Sequence, residues 1–166
     1  MASSYVFTPM NDEEARAVVS WRYEAPYDFY DMANDPEGLE ELLGPPERRE
    51  GYYAVRSEED GELVGFYCFG PGGQLPSFDY PDDGSLDIGL GLRPDLTGRG
   101  LGLEFLLAGL EFGRRHFAPA GFRLAVATFN ERAILVYERA GFQRVTVFTH
   151  HTNGDDYPFL LMTREA

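Results

Sequence analysis

Thr97-Gly98-Arg99-Gly100-Leu101-Gly102 stands between a strand-like run and a strongly amphipathic one. Alternating glycines let the backbone turn tightly and bring successive N–H groups towards a ligand. The free N–H groups of a helix start carry partial positive charge, so the position suits a phosphate. The spacing is G-x-G-x-G rather than the G-x-G-x-x-G of a dinucleotide turn, and a glycine loop without a ligand reads equally well from these residues alone. A second group follows. Asn130, Ala133 and Tyr137 are spaced +3 and +4 and so share one helix face. Small Ala133 between two polar groups leaves room for a ligand against the helix. The plain alternative makes Asn130 a cap, Tyr137 an amphipathic core residue and Gly141 a helix terminator.

Other reactive side chains point to less. Cys68 is the lone cysteine, which excludes an intrachain disulfide and a Cys-rich zinc site. It sits mid-strand in Phe66-Tyr67-Cys68-Phe69 with no nearby His, so it reads as core and not as a hydrolase nucleophile. His150 and His151 with Asp155 resemble a metal cluster only loosely, because adjacent residues on a strand point to opposite faces. No metal is expected.

All 14 basic residues are Arg, against 28 acidic ones, for a net charge of −14. A G-x-x-x-x-G-K-[ST] phosphate loop, a Schiff-base enzyme and a Ser-Lys dyad all need the lysine this chain lacks. The acidity argues against nucleic acid or an anionic membrane as partner. The charge is also uneven. Residues 1–92 hold 20 Asp and Glu against 5 Arg, a net of −15, whereas residues 93–166 hold 8 against 9, a net of +1. One half should attract cations while the other tolerates an anionic ligand; surface acids that merely aid solubility are the alternative.

The elements that must position these residues follow from length and period. A chain of 166 residues makes one domain, 43% apolar and rich in Phe and Tyr. Met1-Ala2-Ser3-Ser4 reads as a plain, frayed start, and nothing reads as a signal peptide or membrane span. Strands are expected at Tyr5–Thr8, Gly51–Arg56, Glu62–Phe69, Ser85–Leu92, Arg123–Thr128, Val145–His150 and Tyr157–Met162. Helices are expected after Asn11 or Asp12, at Pro36–Leu43, Leu103–Phe117 and Glu131–Ala140, with a loop over Gly70–Gly84. The mixture, β-α-β-α-β in the second half, gives an α/β or α+β single domain.

Leu90-Gly91-Leu92-Arg93-Pro94, the glycine turn that follows, and the N-x-x-A-x-x-x-Y-x-x-x-G-F string from Asn130 to Phe142 together resemble the GCN5-related N-acetyltransferases. The ordered set covers residues 85–144. The resemblance implies a mixed, mostly antiparallel seven-stranded sheet that splays open in the middle, flanked by about four helices. It divides the domain into an acceptor side (about 1–84), an acyl-coenzyme A core (85–144) and C-terminal strands (145–166). Acetyl-coenzyme A would sit between the strands Ser85–Leu92 and Arg123–Thr128. Leu90, Gly91 and Leu92 would bond the pantetheine arm and thioester, Thr97 to Gly102 the pyrophosphate, and Asn130 the pantetheine or a water. Tyr137 would protonate the leaving thiolate. The family's turn usually begins with Gln or Arg where this chain has Thr97, with Arg99 inside the turn as electrostatic compensation.

The implied chemistry is acyl transfer, in which an amine attacks a thioester and coenzyme A leaves as a thiolate. Some family members carry a Glu in the strand leading to the Asn, but Leu124-Ala125-Val126-Ala127-Thr128 has no acid. Asp87 is the candidate base, with a solvent-facing strand-edge Asp as the alternative. If the family layout holds, Trp21–Met32 and the connection His151–Tyr157 border the acceptor mouth. Tyr27, Asp28, Tyr30 and Asp31 from the first, and Asp155 and Asp156 from the second, would receive a cationic small molecule or a basic peptide end. Some of these aromatics could instead be core. A non-catalytic acyl-coenzyme A sensor is the rival function. The expected setting is cytoplasmic, as a monomer or homodimer.

Overall fold

Periodicity and capping build the elements, which the computed structural model describes for residues 4–166. The start read at Met1–Ser3 lies outside the described residues. Asn11 opens the first helix, α1 (Asp12–Ser20), through a capping box: its side chain accepts the Glu14 N–H at 2.8 Å, and the Glu14 carboxylate accepts its own N–H at 3.0 Å. Asp35 caps α2 (Pro36–Leu43) by accepting the Gly38 N–H at 3.1 Å, with Pro36 at the first helical position. Buried Arg49 donates to the Leu42 and Gly44 carbonyls at the end of α2 and pairs with Asp12 at the start of α1. The two short helices are thereby tied together.

Seven strands form one sheet: β1 (Tyr5–Pro9), β2 (Tyr52–Ser57), β3 (Leu63–Phe69), β4 (Ser85–Leu92), β5 (Gly121–Ala127), β6 (Gln143–Thr152) and β7 (Asp155–Glu165). Their order is β1-β2-β3-β4-β5-β7-β6, and every pair is antiparallel except β4–β5. Helices α3 (Gly102–Phe117) and α4 (Glu131–Arg139) follow β4 and β5. Successive strand residues face opposite sides, and the sheet carries a core on each. Tyr67, Ile88, Phe122 and Leu160 pack with Phe105, Leu106 and Ile134 of α3 and α4. Tyr52 and Cys68 pack with Ala15, Val18 and Leu42 of α1 and α2 on the other side.

The helix Pro36–Leu43 and the strand Ser85–Leu92 have the bounds their sequence predicts. One segment differs. His151–Tyr157, expected as a connection, is a tight hairpin whose loop is Asn153-Gly154, both at positive φ (52° and 79°). Asp155 and Asp156 are therefore ladder residues, paired with Thr152 and His151.

Candidate functional site

The β4–β5 pairing has only three rungs, Ser85–Asp87 against Gly121–Arg123. Beyond them the strands diverge, and Ile88 to Leu92 pair with β3 on one side and with no strand on the other among the described residues. A backbone edge inside a fold normally finds hydrogen-bond partners, so this one is open to an extended ligand. Within the edge the residues alternate. Ile88, Leu90 and Leu92 belong to the α3–α4 core, whereas Gly89 and Gly91 present no side chain to the α1–α2 side. A Cβ on Gly91 would lie 2.5 Å from the Phe66 ring, so glycine there allows that ring to lie flat over the strand. A cleft of about 900 Å³ opens at this point and includes Leu90, Gly91, Leu92, Asn130 and Tyr137 in its wall.

Thr97, Gly98, Gly100 and Gly102 line the same cleft. Gly98 and Gly100 have φ of +73° and +77°, a conformation that side chains rarely adopt. The helix they lead into starts at Leu101, a poor N-cap residue, and has no side-chain cap. Its first-turn N–H groups therefore face the cleft end without a side-chain acceptor, which is the chemistry of an anion site. Arg99 and Leu101 do not line the cleft. The nearby cation is one the sequence analysis missed: Arg132, whose guanidinium lies 3.6 Å from a Cβ position on Gly98 and stacks 3.9 Å over the Tyr27 ring. The stack holds the Tyr27 segment beside the glycine turn.

Asn130 caps α4 by accepting the Ala133 N–H at 3.2 Å, and its amide donates to the Tyr30 hydroxyl at 3.3 Å. The same hydroxyl accepts the Ala127 N–H at 3.2 Å, so Tyr30 bridges the end of β5 and the start of α4. Tyr137 faces the cleft two turns further on, half-buried, with its phenol pushed above its ordinary value by burial and then by the neighbouring Tyr30. It stays protonated at neutral pH. Tyr23, also unforeseen, donates to the Leu92 carbonyl at 2.7 Å, which takes up that oxygen of the β4 edge.

The structure places Asp87, the expected base, outside the cleft wall. The residue is 4% exposed. Its carboxylate accepts from Arg123 Nε and Nη2 at 2.8 and 2.9 Å and from Gln74 Nε2 at 2.8 Å. Both carboxylate oxygens are engaged, and Asp87 is not the solvent-facing residue of the alternative reading. The acceptor-side acids also differ from expectation. Tyr27, Tyr30 and Asp31 line the cleft, but Asp28, Asp155 and Asp156 are exposed outside it. The last two are exposed on the hairpin, and Asp156 pairs with His151 Nδ1 at 2.8 Å. In their place Asp35, Glu37 and Glu41 bring negative charge to the wall. The two segments themselves do meet: Asn153 donates to the Phe29 carbonyl at 2.9 Å, and Phe29 packs edge-on against Tyr157 at 4.9 Å.

Among the described residues no group of three or more His, Cys, Asp or Glu could hold a metal ion, and no helix is long and apolar enough to cross a membrane.

The model of the acetyltransferase (GNAT) family matches residues 14–142. No curated protein matches the chain. Among solved structures, a GNAT-family acetyltransferase from Bacillus anthracis aligns over 99% of this chain and 96% of its own, with a TM-score of 0.69 and 16% identity. The aminoglycoside acetyltransferase AAC(6')-Ib, bound to ribostamycin and coenzyme A, aligns over 98% and 93%, with a TM-score of 0.73 and 19% identity. A spermidine N-acetyltransferase chimera from Vibrio cholerae and hSSAT aligns over 97% and 95%, with a TM-score of 0.73 and 16% identity. At these identities the likeness is one of fold: a mixed, mostly antiparallel seven-stranded sheet with four helices.

Proposed function

The chain belongs to the acetyltransferase (GNAT) family, and we propose that it transfers the acetyl group of acetyl-coenzyme A to a primary amine on a cationic small molecule or a basic peptide end. The observation that carries this reading is the unpaired β4 edge from Ile88 to Leu92, which runs towards the uncapped start of α3. An extended amide chain ending in a pyrophosphate needs both features in that order. On this reading Leu90 and Leu92, whose backbone groups point to the open edge, bond the pantetheine arm, with the Leu92 carbonyl already held by Tyr23, while Gly91 bonds β3 and keeps the face clear. The N–H groups from Gly98 to Gly102 take the pyrophosphate, and Arg132 supplies the positive charge first sought at Arg99.

The amine attacks the thioester carbon, the C–N bond forms as the C–S bond breaks, and the departing sulfur takes a proton from Tyr137. Burial keeps that phenol protonated at neutral pH, so the acid form is in place when the sulfur departs. An acid in this place supports an enzyme over a non-catalytic sensor. Asn130 keeps a second amide N–H for the pantetheine beside its bond to Tyr30.

Asp31, Asp35, Glu37 and Glu41 in the cleft wall support a cationic acceptor. The similar folds include a spermidine acetyltransferase and an aminoglycoside complex, both concerned with polycationic amines. Thermal melting tests the cofactor half of the proposal. A ligand at 100 times its Kd stabilises the native state by about 2.7 kcal/mol. Acetyl-coenzyme A should raise Tm, with NADH and ATP doing little at matched concentration. A larger shift from NADH or ATP would contradict the reading of the glycine turn.

A further inference from the structure

Resting on the reading of the chain as an amine acetyltransferase, we propose that Glu41, oriented by Tyr52, takes the proton from the acceptor's ammonium group. An acid on the apolar face of a helix costs desolvation that only a hydrogen bond or a paired charge offsets. Glu41 is such a residue. It lies on the face of α2 that also carries buried Gly38 and Leu42, whereas Glu37 and Glu40 of the same helix are exposed. Leu42 is fully buried and Arg49 bonds its carbonyl, so the turn that bears Glu41 is fixed against α1.

The carboxylate lies in the wall of the cleft, on the same side of the sheet as Phe66 and Cys68. Its Oε2 accepts the Tyr52 hydroxyl at 2.7 Å. Tyr52, Cys68 and Gly89 lie on one rung across β2, β3 and β4, so the pair shares a sheet face with Gly89, two strands from it. No ion pair to Glu41 forms among the described residues, in contrast to the two-pronged grip of Arg123 on Asp87. The titratable groups facing Glu41 are Tyr52 from β2 and Cys68 from β3, both kept neutral by burial; Asp35, Glu37 and His150 stand elsewhere in the cleft wall.

The balance of the step is simple. Glu41 accepts one proton from the ammonium, which frees the nitrogen lone pair for the thioester carbon. The C–S electrons leave with sulfur, which takes the Tyr137 proton. The surplus proton on the new amide nitrogen returns to the Tyr137 phenolate, and Glu41 releases its own to solvent. Tyr52 is a positioning residue: it touches the carboxylate and not the reacting atoms.

The test compares the wild type with Glu41→Gln, Glu41→Asp, Tyr52→Phe and the exposed control Glu40→Gln. Thiol release is followed from pH 6 to 10 with spermidine and with ribostamycin, and acetyl-coenzyme A binding is measured by calorimetry. Glu41→Gln should bind acetyl-coenzyme A like the wild type and lose about 100-fold or more in rate at pH 7, within the range for a general base. Its rate should climb tenfold per pH unit towards the amine's own pKa, where the wild type is already level. Glu41→Asp should be slower and keep the level profile, Tyr52→Phe should lower kcat with KM little changed, and Glu40→Gln should be unaltered. Glu41→Gln with intact cofactor binding and the wild-type rate and profile would overturn the assignment of Glu41 alone. No acetyl-coenzyme A binding by any variant, wild type included, would instead overturn the acetyltransferase reading and the proposal with it.

Discussion

Asp87 and Arg123 face each other on the last rung before the sheet opens, and the guanidinium holds both carboxylate oxygens at 2.8 and 2.9 Å. Both side chains are buried, and Arg123 also donates to the Pro81 carbonyl at 2.6 Å. The pair closes the base of the split, above which β4 and β5 go separate ways. Removing one partner of a buried, hydrogen-bonded pair leaves the other charge unpaired, at a cost of about 3–5 kcal/mol. Asp87→Asn should lose stability on that scale in urea unfolding, while the fraction that stays folded keeps the shape of the wild-type pH–rate profile. A profile that loses its acidic limb, with stability unchanged, would return Asp87 to the role of base.

Tyr137→Phe keeps the ring and removes the proton. A fall in kcat of about 10- to 1000-fold is expected, with acetyl-coenzyme A affinity little changed. Burial raises the phenol above its ordinary value of 10.0, so the acid form persists as pH rises. The wild-type rate should therefore show no alkaline loss from this group through pH 10. A fall in rate between pH 8 and 9 that is absent from Tyr137→Phe would contradict the environment described for it.

The mouth charges give a salt signature. Asp35→Asn keeps an oxygen for the Gly38 N–H, and Asp31→Asn keeps one for the Tyr23 N–H, so each removes charge with little change of structure. Both should raise KM for spermidine and flatten its dependence on salt, which screens over about 8–10 Å at physiological strength. Asp28→Asn, Asp155→Asn and Asp156→Asn should do neither, because these residues lie outside the cleft. Equal effects from both sets would mean that only overall charge matters.

Burial pushes the Cys68 thiol up to about 12 from its ordinary 9.0. Since the folded value is the higher, folding takes up a proton. The stability contributed by this group is complete below pH 9 and is lost as pH rises towards 12. Iodoacetamide at pH 8.5 should leave Cys68 of the native protein unmodified and label it once urea unfolds the chain. Native labelling at the unfolded rate would mean that the β3 face of the cleft is open to water.

The glycine turn, the Asn130-to-Tyr137 face and the strand Ser85–Leu92 were legible because each depends on local spacing. The acids were less so. The partner of Asp87 is 36 residues away in the chain, and nothing local distinguishes a buried paired Asp from a free one. Asp155 and Asp156 looked like loop residues because the positive-φ pair Asn153-Gly154 sits two positions earlier than the turn was expected to end. A signal for Glu41 was present and went unread: Gly38, Glu41 and Leu42 recur at helical spacing, which puts the acid on the inward face. Arg132 and Tyr23 act through contacts with residues distant in the chain, Tyr27 and Leu92, that no period encodes.

The most direct measurement of the central claim is thiol release from acetyl-coenzyme A with spermidine, ribostamycin and a neutral amino acid as acceptors, paired with the mass of each amine afterwards. A polycationic amine should gain one acetyl group for each thiol released, in preference to the neutral acceptor, and the yield should collapse in Tyr137→Phe. Acetyl-coenzyme A left intact with all three amines, or thiol released without any acetylated amine, would contradict the account.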